Sequence, residues 1–294
     1  MSLPCRDCIA GHVHEGTAQG EITKLHGLDT YVVGPEAGVK PQGLVVMLHD
    51  GLGLPFINNQ LLADKFAKNG GFLVFLPDFY DGHPIPTQLI PVMDKISKPT
   101  TWLETFSIPF YIFQVALAMV PFVIRTRESV CKPRVLSFFQ ALRTSPPPFE
   151  TNDLKIGAAG FCWGGKYTVL LAQDNPSSRV HRNAEQSSSQ ALLPLIDCGF
   201  TAHPSWVSVP KDIEKVVLPL SVAVGDVDMM MSGPKILQMK EILEKKKAGD
   251  HEVCIMPGAK HGFTARMDPS DKHQVECAAK AEEQAINWFR RWFG

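Results

Sequence analysis

The sequence predicts an α/β fold with a mostly parallel central sheet flanked by helices, and three features carry that prediction. Short apolar runs at 44–48, 72–76, 154–159 and 218–224 show no polar alternation, the pattern of strands buried on both faces. Helix-compatible segments fall between these runs, which gives a βαβ order. Polar, glycine-bearing loops follow several of the runs, at 49–53, 160–165, 225–228 and 258–263. Such loops stand at the carboxyl ends of parallel strands, where α/β sheets bind ligands.

Taken in order, the chain opens with Cys5, Cys8, His12 and His14, a spacing compatible with zinc. No second Cys/His pair follows at finger spacing, so this segment reads as an arm with incidental thiols, and no metal is expected. Two short strands at 20–26 and 28–33, separated by Gly27, read as a hairpin. The apolar run 44–48 ends in His49-Asp50-Gly51-Leu52-Gly53. A helix over 58–69 sets Leu61, Leu62 and Phe66 on one face and stops at Gly70-Gly71. The strand at 72–76 closes in Pro77-Asp78-Phe79-Tyr80-Asp81-Gly82.

Residues 85–131 break this rhythm. They are rich in proline, apolar and aromatic residues and read as an inserted helical cap that shapes a pocket. Within the cap, 108–124 reaches the low edge of membrane-spanning length. It holds Pro109, Gln114 and Pro121, and Arg125 and Arg127 follow. It therefore reads as a helix packed over the core or a pocket, and no membrane span is expected. A helix at 133–143 and the Pro146-Pro147-Pro148 loop lead to the strand at 154–159. A Ser-, Asn- and Gln-rich loop spans 175–190. A strand at 195–201 comes next, with His203 just past it. After the strand at 218–224 come a helix at 235–247, a strand at 253–256 and a closing helix at 272–293. The expected organisation is one domain, 1–294, with the cap at about 85–131 inside it.

Composition narrows the function classes. With 294 residues the chain can bury a large core, and 45% hydrophobic with 20% charged residues is ordinary for a globular protein. A formal net charge of −1 gives no electrostatic case for nucleic acid. Seven cysteines, an odd number spread along the chain, do not resemble a secreted disulfide framework. Together with an N-terminus lacking the layout of a signal peptide, this gives a cytoplasmic expectation.

The chemistry centres on Gly160-Phe161-Cys162-Trp163-Gly164-Gly165, set between a strand and a helix. Strand, tight turn and helix make a nucleophile elbow, with Cys162 at its apex and at a helix N-terminus that favours the thiolate. Asp228 and His261 then occupy later strand-end loops, so all three side chains converge on one sheet edge. Nucleophile, acid, histidine is the chain order of the α/β-hydrolase fold. His261 would take the Cys162 proton, and Asp228 would orient the imidazole. Asp226 is the rival acid. Asp228 is preferred because it lies further from its strand, where it can turn toward the histidine loop. The backbone N–H groups of Trp163 and Gly51 are the candidate oxyanion donors.

With these residues in place, the chain resembles the dienelactone hydrolase (carboxymethylenebutenolidase) family, most closely its fungal-type members. The resemblance rests on the cysteine-centred elbow, the Gly225–Asp228 turn, His261-Gly262-Phe263, the N-terminal CRDC…HEGT…LDTYVV pattern and the HDGLGL…LLADKFA stretch. It implies a Cys–His–Asp lactone or ester hydrolase that needs no metal or organic cofactor and acts on a small molecule. It also implies an acid after the first central strand that activates the thiol. Asp50 takes that place, where bacterial members carry the longer Glu. Bacterial members bind the lactone's carboxylate with arginines. Arg266 is the nearest counterpart, and His83 is the basic residue of the 79–86 loop. The candidate substrate-binding set is therefore Phe79, Tyr80, His83, Phe263 and Arg266. Thioesters fit less well, since a thiol attacking a thioester gains little in leaving group. Two other classes fit the scaffold: a binding protein without turnover, and an acyltransferase whose dry pocket lets an alcohol or amine outcompete water.

Overall fold

The computed structural model describes residues 9–97, 99–144, 155–181, 191–247 and 249–294. Eight strands form one sheet: β1 (Glu21–Leu25), β2 (Leu28–Val33), β3 (Leu44–Leu48), β4 (Leu73–Pro77), β5 (Ile156–Phe161), β6 (Cys198–Ala202), β7 (Leu220–Gly225) and β8 (His251–Met256). Their spatial order is β1-β2-β4-β3-β5-β6-β7-β8. β1 pairs with β2, and β2 with β4, antiparallel; every later pairing is parallel. Every residue of β3, β5, β6 and β7 is buried, which is why their sequences lack alternation. The hairpin turns at His26-Gly27, both with positive φ.

The helices are α1 (Ile57–Gly70), α2 (Leu89–Ser97), α3 (Trp102–Arg125), α4 (Glu128–Thr144), α5 (Trp163–Ala172), α6 (Gly233–Glu244) and α7 (Lys272–Phe293). One apolar cluster joins α1 and α7 to the sheet through Leu62, Phe66, Ala281, Ala285 and Phe289. Another joins the sheet to α4, α5 and the 85–131 segment through Phe79, Met119, Phe122, Phe138 and Trp163. A third seats α6 on Val222, Val224 and Val169. α1 ends where expected: Gly71 is left-handed, at φ 72°, and donates its N–H to the Ala67 carbonyl.

Three expectations shift. The strand sought at 195–201 begins at Cys198, because Asp197 turns aside: its N–H goes to the Ile156 carbonyl, and its carboxylate takes Ile156 N–H and the Arg143 guanidinium. The helix sought at 133–143 starts earlier, at Glu128, and holds Pro133 inside it. The apolar stretch 108–124 is helical, within α3, but it covers the core with one edge only. α3 buries Met119 and Phe122 and leaves Leu103, Phe106, Phe110, Phe113, Leu117, Val120 and Ile124 exposed.

Cys5, Cys8, the Pro146-Pro147-Pro148 loop and much of the 175–190 loop lie outside the described residues. The His12 ring faces Asp268 at 3.4 Å and the His14 ring meets the Met267 carbonyl at 3.0 Å.

Candidate active site

The turn between β5 and α5 holds Cys162 at φ 51°, ψ −109°, a region that L-residues rarely occupy. Backbone contacts fix it there. Its N–H reaches the Ala202 carbonyl, and its own carbonyl accepts from Gly165 and Ser205 N–H at 3.1 and 2.9 Å. Gly164 is obligatory, since a Cβ would lie 1.9 Å from the Leu48 carbonyl oxygen on β3. Close approach of α5 to β3 is thus what lifts Cys162 to the sheet edge.

Asp228 follows β7 and His261 follows β8, so both come to that same edge. The His261 Nδ1 meets the two Asp228 carboxylate oxygens at 3.0 and 2.9 Å, and both side chains are fully buried. Asp226 is occupied elsewhere, accepting from Gly258 N–H at 2.6 Å. Beside imidazole and thiol, which also hydrogen-bond each other, stands Ser205: its Oγ is 3.2 Å from His261 Nε2 and 3.3 Å from Cys162 Sγ. Cys162, Ser205, His261 and Asp228 therefore form one connected chain of side chains.

Electrostatics set the proton's place. Burial on its own would push the His261 imidazolium down, but the neighbouring Cys162 thiolate and the Asp228 carboxylate outweigh it and hold His261 up at about 10. Next to it His203 is buried, and burial together with the His261 charge pushes it well below its ordinary value. His203 packs edge-on to His261 with ring centroids 5.0 Å apart, and its Nε2 lies 2.7 Å from Thr264 Oγ1. The pair is thus one charged and one neutral imidazole.

The two backbone N–H groups expected as oxyanion donors lie in the turns after β5 and β3. The Trp163 N–H is the first of α5 and has no intrahelical acceptor. Gly51 gives its carbonyl to Ile85 N–H at 2.9 Å, and its own N–H makes no bond among the described residues. The Trp163 ring packs on Tyr80, His49 and Tyr167 with centroids 4.6, 5.6 and 4.3 Å away.

Four expected site residues are engaged otherwise. The Asp50 carboxylate is taken up by other groups: one oxygen accepts from Leu52 N–H and Asn59, and the other pairs with Arg266. Arg266 is correspondingly buried on Asp50 and on the Ala10 carbonyl, so it is no open cation for a substrate's acid group. Phe79 is wholly buried against Phe138, and Phe263 packs under the sheet against His203. Apolar side chains in these strand-end loops turn inward because burying them removes apolar surface from water.

Tyr80 and His83 fare differently. Tyr80 is buried against Trp163 and His49 (4.6 and 4.4 Å), and its hydroxyl has no hydrogen-bond partner among the described residues. Beyond it a cavity of about 390 Å³ is lined by Tyr80, Asp81, His83, Ile124 and three arginines of α3, α4 and the turn between them. The residue that sequence reasoning missed is Ser205. His203-Pro204-Ser205 follows β6 at the same edge as the other loops, so the strand-end rule already pointed there.

Comparison with known proteins bears on the family and the fold. The model of the dienelactone hydrolase family matches residues 28–293. The hydrolase pyvD of Aspergillus violaceofuscus is 26% identical, over 98% of this chain and 97% of its own length. Dienlactone hydrolase 1 of Gibberella moniliformis is 22% identical, over 97% and 92%. Among solved structures, a putative dienelactone hydrolase from Klebsiella pneumoniae superposes with a TM-score of 0.55 at 19% identity, covering 90% of this chain and 93% of that one. The dienelactone hydrolase of Anabaena variabilis gives 0.55 at 16%, covering 96% and 99%. These likenesses establish the α/β-hydrolase fold.

Proposed function

We propose that this chain, which belongs to the dienelactone hydrolase family and is a carboxylic ester hydrolase, works through an acyl-Cys162 intermediate on a small lactone or activated ester. The observation that carries the cysteine assignment is the continuous contact from Cys162 through Ser205 and His261 to Asp228, with the thiol held at a strained strand–helix turn. The thiolate attacks the carbonyl carbon, and the carbonyl π electrons move to oxygen, facing the Trp163 and Gly51 N–H groups. When the tetrahedral adduct collapses, the C–O bond to the leaving group breaks. The departing oxygen takes the proton from the His261 imidazolium; in a lactone it stays tethered to the acyl chain. His261, now neutral, removes a proton from water. The hydroxide attacks the thioester carbon, and the thiolate leaves to re-form the ion pair. Asp228 keeps Nδ1 protonated throughout, so that Nε2 faces the reaction.

Ser205 stands where it can donate to the resting thiolate, and Asp50 with Arg266 acts as a strut under the Gly51 loop. Tyr80, Trp163 and His83 supply an apolar wall with a basic rim. This suits an unsaturated or aromatic acyl group. The test is turnover of enol lactones and p-nitrophenyl esters by wild type and Cys162→Ala. Loss of turnover in the variant, with retained folding, supports the reading; equal turnover refutes it. Added alcohols or amines separate hydrolysis from acyl transfer through the product formed.

A further inference from the structure

α3 is 24 residues long, and its outer face has no partner among the described residues. Its apolar side chains are large and water-facing: Phe106 is 85% exposed and Trp102 76%, with Leu103, Phe110, Ile112, Phe113, Leu117, Val120 and Ile124 exposed as well. No charged residue occurs between Glu104 and Arg125. By length and composition the helix could cross a bilayer. A contiguous apolar surface of this extent marks an interaction site rather than chance exposure.

The inner face of the helix decides the geometry. Met119 and Phe122 are buried in the domain, and Phe122 packs edge-on to Tyr80 at 5.1 Å. α3 is thereby tied along its side to the folded body, so it can lie in an interface but not pass through one. Its ends fit that placement. Trp102, an interface-seeking side chain, stands at one end, and the exposed Arg125 and Arg127 stand at the other. Glu104, the acid on the helix, is held back at the N-terminus by Thr100 N–H and hydroxyl at 2.7 and 2.8 Å. The apolar face is thus flanked by cations at its C-terminal end, the complement of anionic headgroups, with its one acid tied up at the other end.

We propose that this face is a docking surface for an anionic lipid bilayer, with α3 lying in the plane of the headgroups. A second copy of the chain fits less well. The residues at 103, 106, 110, 113, 117, 120 and 124 do follow the 3–4 spacing of a helix–helix seam. Yet Trp102 and Ile112 lie exposed outside that seam, and Pro109 and Pro121 interrupt the helix interior. The flanking Ser107, Gln114 and Ala116 carry no charge that would set register. A lipid surface accepts the whole width and the kinks.

The experiment is co-sedimentation of the full chain with phosphatidylcholine vesicles and with vesicles also containing phosphatidylserine. Wild type is expected to bind the anionic vesicles, more weakly at high salt and on neutral ones. Replacing Phe106, Phe110 and Phe113 together by Ser is expected to lower the partition coefficient roughly a hundredfold. The thermal midpoint should hold, because all three rings are exposed. The pair R125Q and R127Q is expected to abolish the preference for anionic over neutral vesicles. No wild-type binding at any composition would overturn the proposal, as would a triple variant that binds unchanged. Light scattering that shows a dimer, dissolved by the same triple variant, would overturn it in favour of a second copy.

Discussion

Replacing Arg266 by Met separates two roles that sequence and structure give to the same side chain. Arg266 and Asp50 are both inside the protein, their side chains 1% and 0% exposed, and their ion pair joins the His261 loop to the loop after β3. Loss of Arg266 leaves one Asp50 oxygen without its partner, since Leu52 N–H and Asn59 both bind the other oxygen. Breaking a buried pair from one side costs about 3–5 kcal/mol, because a charge stays buried without compensation. The Ala10 carbonyl also loses its donor, a further cost of about 1 kcal/mol. For a chain of this size that corresponds to a fall of roughly 10 °C in Tm. The double change of Asp50→Leu with Arg266→Met removes both charges and is expected to recover part of the loss. The assay is urea and thermal unfolding of wild type, both singles and the double, alongside KM for a carboxylate-bearing and a neutral ester. A wild-type Tm in Arg266→Met, with KM raised only for the carboxylate-bearing ester, would refute the structural role.

Asp228→Asn is expected to lower kcat roughly 10⁴-fold, as loss of the imidazole's orienting acid does in such triads, while Asp226→Asn stays near wild type; initial rates decide. His261, held up to about 10 against its ordinary value of 6.5, contributes stability that is complete below pH about 6.5 and is lost as pH rises through about 10; unfolding measured from pH 6 to 11 should show that decline, and Cys162→Ala should lessen it, leaving the part due to Asp228. Ser205→Ala is expected to reduce kcat roughly tenfold to a hundredfold and to move the iodoacetamide pH profile of Cys162 upward, because the thiolate loses a donor. An unshifted profile would leave Ser205 a packing residue. Gly164→Ala drives a Cβ to 1.9 Å from the Leu48 carbonyl oxygen and should yield little folded protein, measured as soluble yield and Tm.

What was legible in the sequence is what local patterning fixes. Runs without alternation became strands buried wholly or at all but one residue, and the glycines of the elbow became the close contact of α5 with β3. The convergence of Cys162, Asp228 and His261 was legible for the same reason: parallel strands put their following loops on one edge. What a strand end does not encode is which way a side chain turns. Phe79 and Phe263 lie in strand-end loops at the same sheet edge, yet both fill the core. Asp50 and Arg266 are 216 positions apart, and no local pattern reports that they neutralise each other. Ser205 lay hidden because a serine in a loop is common, and only the distances to Sγ and Nε2 single it out. α3 was read as packed from its apolarity, whereas most of that apolar surface faces water.

The nucleophile is tested most directly by rapid quench of a p-nitrophenyl ester with wild type, followed by peptide mass spectrometry. A burst of p-nitrophenol with the acyl mass on the peptide carrying Cys162, absent in Cys162→Ala, is the result expected. An acyl mass on Ser205, whose Oγ also lies within reach of His261 Nε2, or undiminished turnover by Cys162→Ala, would contradict the cysteine mechanism.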